Sequence, residues 1–401
     1  MEQKLIKDFE IPSKKIETWK FTDLKKVFEK NNFKPYKKSI AEKNPATSKI
    51  NSSIANNTFF DTKINYVIFE DGYLQKLKKK SNGLEIIDLN ENSKKTLFNK
   101  NNFIRNDSLL DINNTFLNGN LIIRVKKDIK LKEPISIFYF NSEESKYLIN
   151  NRINIILEEN AEAEINEVFI SSGQISYWNN VHNFIQLKKS SKLNHYKIQM
   201  ESKYALHSSS SNVSCNNSSN YNSFIYSFGG IMSRIEIIGS INSSDINFNI
   251  KGLYLAKVNQ HHDITTLMQH KHSNSNSNQH IKGILQKKSS GVFQGKVIVS
   301  QNAQKTDAFQ FNQNLLLSEN AKINTKPELE IYADDVKCSH GATTGELDEE
   351  MLFYLRSRGL KEEEARKLLI EGFINELFED IENKKLKKKL LHTSIKSIYL
   401  K

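Results

Sequence analysis

Short apolar runs separated by polar turns dominate the middle of the chain. From about residue 105 to 335 these strand-like runs recur, with segments rich in Asn, Ser and Lys between them, at 121–125, 135–140, 153–157, 183–187, 235–238, 253–256, 297–300 and 315–317. The spacing fits coils of roughly 20 to 30 residues. It favours a β-solenoid over a β-sandwich, because the Asn-Gly dipeptides typical of tight hairpins are rare here.

The periodicity changes on both sides of this core. Residues 16–28 have helical spacing, and the period becomes helical again from Leu347, with Asp348 as the expected N-cap and Gly359 as the residue that ends the first helix. A second helix is predicted from Lys361, with an apolar stripe at Ala365, Leu368, Leu369, Phe373 and Leu377. The stripe fits packing against the solenoid or docking of a partner. We therefore predict a mainly β protein with a mixed N-terminal region (1–104), a β-helix core (105–346) and a C-terminal helical segment (347–401).

Composition narrows the functional classes. The net charge of +12 comes from Lys that is abundant throughout the chain, and the basic runs at 78–80 and 387–389 lack interleaved aromatic residues, so no nucleic-acid partner is expected. No segment has the roughly 20 apolar residues of a membrane helix, and the N-terminus lacks the apolar region of a secretory signal. Two cysteines, Cys215 and Cys338, cannot build a disulfide framework, which favours reduced thiols and a cytoplasmic location.

Candidate chemistry concentrates between residues 325 and 359. Cys338 and His340 lie two residues apart in a predicted glycine-containing turn, beside Asp334 and Asp335. A thiolate and an imidazole are common metal ligands, and in an extended backbone these two side chains would share a face. Five further histidines (His261, His262, His270, His272 and His280) fall within twenty residues, and they fit either a metal site or solvated polar turns.

Several catalytic motifs are missing from the sequence. The segment 291–297 superficially resembles a P-loop but has Val after its Lys, where magnesium binding requires Ser or Thr, so no bound nucleotide is expected. There is no Cys-x-x-Cys motif, and a complete iron–sulfur site generally needs four ligands, so any such site would need ligands from another chain. A carbohydrate-active β-helix enzyme is an alternative, but the adjacent Asp334 and Asp335 would point apart on a strand.

An ordered series of motifs resembles the SufB/SufD family, most of all its SufD members, which are scaffold subunits of the SUF iron–sulfur cluster assembly machinery. Glu17–Leu24 resembles the family's E-x-W-[RK]-[YF]-T-D-L, Gly291–Val297 its GVFxGKV, Ala303–Ala308 its AQKTDA and Asn314–Ser318 its NLLLS. The stretch from 325 to 359 is similar to the C-terminal signature of SufD. The family's histidine region usually continues toward Tyr-Lys-Gly, where this chain has His280-Ile281-Lys282-Gly283.

The resemblance implies a right-handed parallel β-helix and a non-catalytic scaffold subunit. It implies a heterodimer with SufB, recruitment of the ABC ATPase SufC, and a transient iron–sulfur cluster at the subunit interface, with His340 as a ligand and Cys338 as its companion. The C-terminal helices would dock the ATPase, with Phe373 and Leu377 as the apolar contact and Tyr354 and Arg356 as neighbours. A sulfur donor protein would act indirectly. A SufB-like homodimer stays open, as do flavin binding, the sulfur donor and the acceptor protein.

Overall fold

Two parallel β-sheets face each other along most of the chain in the computed structural model, which describes residues 6–37, 65–89, 108–142, 146–379, 381 and 383–399. Each sheet has ten strands in these ranges. The strands are β1 (Lys34–Pro35), β2 (Asn65–Glu70), β3 (Tyr73–Lys78), β4 (Leu84–Asp88), β5 (Gly119–Val125), β6 (Ile135–Asn141), β7 (Tyr147–Leu157), β8 (Glu162–Ser171), β9 (Tyr177–Leu187), β10 (Lys192–Gln199), β11 (Leu206–Cys215), β12 (Asn220–Phe228), β13 (Met232–Ile241), β14 (Asn247–Ala256), β15 (His261–His270), β16 (Asn276–Leu285), β17 (Ser290–Val299), β18 (Asp307–Leu316), β19 (Lys322–Ile331) and β20 (Lys337–Gly345).

The connectivity is that of a solenoid. Odd-numbered strands from β5 to β19 form sheet A and even-numbered strands from β6 to β20 form sheet B, so each turn of the chain adds one strand to each sheet. Leu206 pairs with Met232, and Met232 with His261, so one turn takes a little under thirty residues. The predicted parallel β-solenoid is confirmed and the sandwich alternative is wrong. Strands β2, β3 and β4, from the predicted N-terminal region, extend both sheets at the first end.

Left-handed residues make the turns between the two sheets. Four residues at, or next to, the same point of successive turns have φ between 55° and 62°: Asp128, Asn160, Ser190 and Ser218. Their backbone N–H groups hydrogen-bond to the next turn, as Asn160 does to the carbonyl of Lys189 at 3.0 Å. Asn and Asp tolerate this conformation better than most other residues with a side chain. The abundance of Asn in the polar segments therefore serves the turns.

The core lies between the sheets and is not wholly apolar. Ile, Val, Leu and Phe fill much of it, but Glu167 on β8 is fully buried there with His195 and Lys197 of β10. The Glu167 carboxylate accepts hydrogen bonds from His195 Nε2 at 2.7 Å and from Tyr139 at 2.9 Å, and Lys197 Nζ lies 3.4 Å away. Burial alone raises the pKa of Glu167, but Lys197, His195 and Tyr139 outweigh it and hold the pKa at about 2. The solenoid interior thus contains a satisfied ionic network.

Helices cover the outer faces of the sheets. An N-terminal segment with α1 (Leu24–Asn31) and α2 (Ser108–Thr115) packs on sheet A. The helix predicted over 16–28 is partly wrong: a 3₁₀ turn occupies Glu17–Trp19, and Asp23 caps α1 by accepting from the Lys26 N–H at 3.1 Å. The last helices are α3 (Glu349–Ser357), α4 (Glu362–Phe378) and α5 (Lys384–Tyr399), of which α4 and α5 pack on sheet B. Among the described helices, none has the length and hydropathy needed to span a bilayer.

Candidate functional site

The C-terminal end of the solenoid exposes two strand edges. Strand β19 ends sheet A and β20 ends sheet B, and each pairs on one side only within the described residues. Most residues of β20 are exposed, and those of β19 are at most half-buried, whereas the preceding strands are largely buried. Unpaired strand edges present free backbone N–H and C=O groups, and soluble proteins normally cover or protect such edges. This end of the molecule is therefore a candidate interaction surface.

Cys338 and His340 both lie on β20. The turn predicted for them is wrong, because residues 337–345 form a strand in parallel register with β18, where Cys338 is opposite Ala308 and His340 is opposite Gln310. Cys338 packs against the apolar interior and is half-buried, and His340 is exposed on the same strand face. Gly341 fits this strand for a steric reason: a Cβ there would lie 3.0 Å from the ring of Phe311.

Polar groups lie immediately behind His340 in the solenoid. The Gln310 side chain is fully buried, yet its Nε2 and Oε1 have no hydrogen-bond partner among the described residues. The same is true of Thr325 Oγ1 on β19, whose strand position faces the interior. Buried polar atoms are seldom left unpaired. The open end therefore has hydrogen-bonding capacity that a bound group or partner can use.

The site offers two metal donors and no complete ligand set. Burial raises the pKa of the Cys338 thiol, so the group is protonated at neutral pH until a metal or base removes the proton. Across the described ranges no group of three His, Cys, Asp or Glu side chains can hold a metal ion. An iron–sulfur cluster generally requires four ligands. His340 and Cys338 therefore fit a cluster only if another chain provides the other ligands.

The five upstream histidines do not form a metal site. His261 and His262 face opposite sides of β15, as their adjacency predicts: His261 bonds Thr22 of the N-terminal segment at 2.8 Å, and His262 bonds the buried Ser227 at 2.7 Å. His270 bonds Ser277 at 2.8 Å and His280 bonds Gln313 at 2.9 Å. His272 lies beyond the end of β15 and is exposed. Most of these histidines are structural.

The predicted docking residues fall into two groups. Tyr354 and Arg356 on α3 are exposed, whereas Leu377 is fully buried against sheet B and Phe373 is half-buried. The residues that sequence reasoning missed are Phe353, which is 74 % exposed, and Met351 beside it on α3. A groove at the junction of α3 and α4, called here the elbow groove, is lined by Phe353, Arg356, Ser357, Leu360, Lys361 and Glu362. Met351, Phe353 and Tyr354 are all exposed on this short helix, and together they make its surface a candidate interface.

Comparison with known proteins identifies the family of this chain. The family model described as the SUF system iron–sulfur cluster assembly SufBD core domain matches residues 138–373, more than half of the chain. The chain belongs to the SufBD family. It is 32 % identical to the iron–sulfur cluster assembly protein SufD of Escherichia coli over 272 residues, 67 % of this chain and 64 % of that protein.

Two other SufBD relatives match to a similar extent. A SufBD family iron–sulfur cluster assembly protein of Synechocystis is 32 % identical over 69 % of this chain and 63 % of its own length, and the chloroplastic protein ABCI7 of Arabidopsis thaliana is 33 % identical over 71 % and 62 %. The chain thus spans a little under two thirds of these relatives. The SufBD core match runs from β6 into α4 and includes Cys338, His340 and the elbow groove. This family assignment replaces the carbohydrate-active enzyme alternative.

Proposed function

We propose that the chain is a non-catalytic scaffold subunit on which an iron–sulfur cluster, the cargo of the system, is built at an interface with a second subunit. The observation that carries this proposal is the exposure of His340 on an unpaired edge strand, with Cys338 on the same face and, among the described residues, no third donor that would complete a metal site. A half-site at a sheet edge becomes complete when another chain adds its own ligands there. The names of the relatives, which describe iron–sulfur cluster assembly, support the same role.

The expected partner is SufB, which pairs through the edges of β19 and β20. A related solenoid presents strands of the same kind, so backbone hydrogen bonds can extend both sheets across the interface, as in other cases of β-augmentation. The partner would add a thiolate to the imidazole of His340. A SufB-like homodimer uses the same edges, and the mass of the purified assembly distinguishes it from the heterodimer. The sulfur donor protein then acts through the partner.

Replacing His340 by Ala tests the ligand role. In the reconstituted complex we expect His340→Ala to lower the rate of cluster formation at least tenfold, because a two-donor half-site would lose one of its two donors. Cys338→Ser should have a smaller effect, since Cys338 is half-buried. Iron content and visible absorption of the cluster are the measurements.

The matched control is His272→Ala, an exposed histidine at the end of β15 rather than at the open end. Subunit assembly is followed by size and mass for each variant. A His340→Ala complex that assembles normally and builds clusters at the wild-type rate would refute the ligand role.

The elbow groove is the proposed docking surface for the ATPase SufC. This chain has no P-loop, so ATP binding must come from a partner. Exposed Phe353 and Tyr354 supply aromatic contact area, and Arg356, 3.7 Å from Glu362, supplies polar contacts at the rim. Because Leu377 is buried within the chain, we assign it and Phe373 to holding α4 in place rather than to direct contact.

Phe353→Ala, in the elbow groove, should weaken ATPase binding about tenfold, the effect of removing an aromatic anchor from an interface. Calorimetric titration of the chain with the ATPase subunit measures it. Tyr204→Ala is the matched control, because Tyr204 is 48 % exposed on a turn of the solenoid. Equal affinity of both variants would place the docking surface elsewhere. The cytoplasmic location belongs to the same proposal and follows from the reduced thiols.

A further inference from the structure

Lys282 on β16 is a buried lysine on the outer face of sheet B. Its side chain is 1 % exposed, beneath helix α4. Burying an ammonium group is costly unless it is paired and hydrogen-bonded, and an apolar side chain of similar volume often packs there at no loss of stability. The burial of Lys282 therefore points to a role in fixing the position of helix α4 on sheet B.

The Lys282 ammonium binds one turn of helix α4. Its Nζ donates to the backbone carbonyl of Phe373 at 2.8 Å and to the Glu376 carboxylate at 2.5 Å, and it lies 4.6 Å from the centre of the Phe373 ring. The hydrogen bond from Lys282 lowers the pKa of Glu376. A carbonyl within a helix has a second lone pair free for such a donor. Lys282 thus fixes the position of α4 along the sheet.

The contacts continue from β16 to the strand that carries His340. His280, two residues before Lys282, bonds Gln313 of β18 at 2.9 Å, and its ring lies 5.5 Å from that of Phe311. Gln313 is opposite Lys282 in the ladder, and Phe311 is opposite Gly341. The Phe311 ring occupies the space above Gly341, the residue that follows His340 in β20. A chain of packed groups therefore runs from α4 to β20.

We propose that Lys282 is a positioning residue that couples helix α4 to strand β20, so that displacement of α4 by a docked partner changes the position of His340. The inference rests on the proposed function for its biological role, but the coupling itself belongs to this chain. Contiguity alone does not demonstrate coupling, which requires an energetic test. The chain provides a matched pair of acidic residues for this test, Glu376, which binds Lys282, and Glu371, which pairs with Lys367 of the same helix at 3.9 Å.

Hydrogen exchange of the peptide 337–345 in the isolated full chain measures the coupling. We expect Lys282→Met, which keeps the aliphatic packing, to accelerate exchange there about tenfold, and Glu376→Gln about threefold, while amides of β9 to β13 stay unchanged. Glu371→Gln should leave the peptide as in the wild type. In a Phe311→Leu background, Lys282→Met should add little, because residues in one network are not additive.

The result that would overturn the proposal is exchange at 337–345 within twofold of the wild type in Lys282→Met. Equal acceleration in all strands would overturn it too, since that shows a general loss of stability. A second arm uses the complex with the ATPase subunit, in which Lys282→Met should bind the ATPase with wild-type affinity and lose any ATP-dependent change in the exchange of this peptide. A wild-type chain that binds no ATPase would refute the docking proposal, whereas the isolated-chain arm still decides the coupling.

Discussion

Glu167→Ala should destabilise the protein by about 3–5 kcal/mol, the usual cost of removing one member of a buried ion pair. The substitution leaves the Lys197 ammonium inside the solenoid with Ser211, at 3.2 Å, as its remaining hydrogen-bond partner among the described residues. It also removes the acceptor of His195 and of Tyr139. Urea unfolding followed by circular dichroism measures the loss.

The same network predicts a loss of stability in acid. The pKa of Glu167 is about 2 in the folded protein, below its ordinary value of 4.5. A carboxyl whose pKa is lowered by folding stabilises the protein fully above the unfolded pKa, and this contribution disappears as the pH falls through the folded pKa. About 3 kcal/mol of stability should therefore be lost between pH 4.5 and pH 2. In Glu167→Gln this part of the pH dependence should be absent.

Glu162→Ala is the control for both measurements. Glu162 lies on the same strand but is partly exposed and pairs with Lys130 at the surface. Exposed ion pairs contribute about 0–1 kcal/mol. If Glu162→Ala and Glu167→Ala unfold at similar urea concentrations, the interior network does not stabilise the fold as argued.

Asp263→Ala should have a comparable effect, about 3–4 kcal/mol, and should also release the N-terminal segment. Buried Asp263 accepts from Arg234 at 2.5 Å, from Thr265 at 2.8 Å and from Thr22 of the N-terminal motif. Arg234 in turn lies 4.1 Å from the centre of the Trp19 ring. Without Asp263, the acidic partner that remains to the guanidinium among the described residues is Glu236, at 3.5 Å. We expect faster proteolysis within residues 6–37 together with a lower urea midpoint.

Two further variants distinguish the contact between the N-terminal segment and the sheet from the stability of the sheet itself. Thr22→Val removes only the contact between them and should cost about 1–2 kcal/mol while still accelerating proteolysis. Glu330→Ala, on the exposed part of the same sheet face, should change neither measurement, because Glu330 pairs with Lys296 at the surface. Unchanged proteolysis in Asp263→Ala would show that other contacts hold the segment.

The apolar runs favoured the solenoid and the family resemblance implied it, but the runs did not reveal all of its strands. β11 reads LHSSSSNVSC, and its serines are typical of a loop. It forms a strand because β9 and β13 supply backbone partners on both sides, and the parallel ladder does not depend on the side chains. The burial of Glu167 could not be predicted from the sequence either, since its partners come from other strands, 16 or more residues away.

The conformation predicted for the candidate site residues was wrong. KCSHGATTG contains Gly, Ser and Thr and no apolar alternation, so it resembled a turn, whereas β18 holds it as a strand. For the docking helices, the stripe containing Phe373 and Leu377 was visible, but its burial depends on sheet B, which periodicity alone does not reveal. Exposed Phe353 precedes the apolar stripe of the second predicted helix, so the helical periodicity did not single it out.

The unpaired edges of β19 and β20 also bear on how a cell must produce this protein. A solenoid end of this kind accepts any chain that can extend its sheets, including further copies of itself, and repeated end-to-end addition leads to insoluble filaments. A partner subunit bound at these edges would block such addition. Production of this chain alone should therefore give a larger insoluble fraction than co-production with its proposed partner.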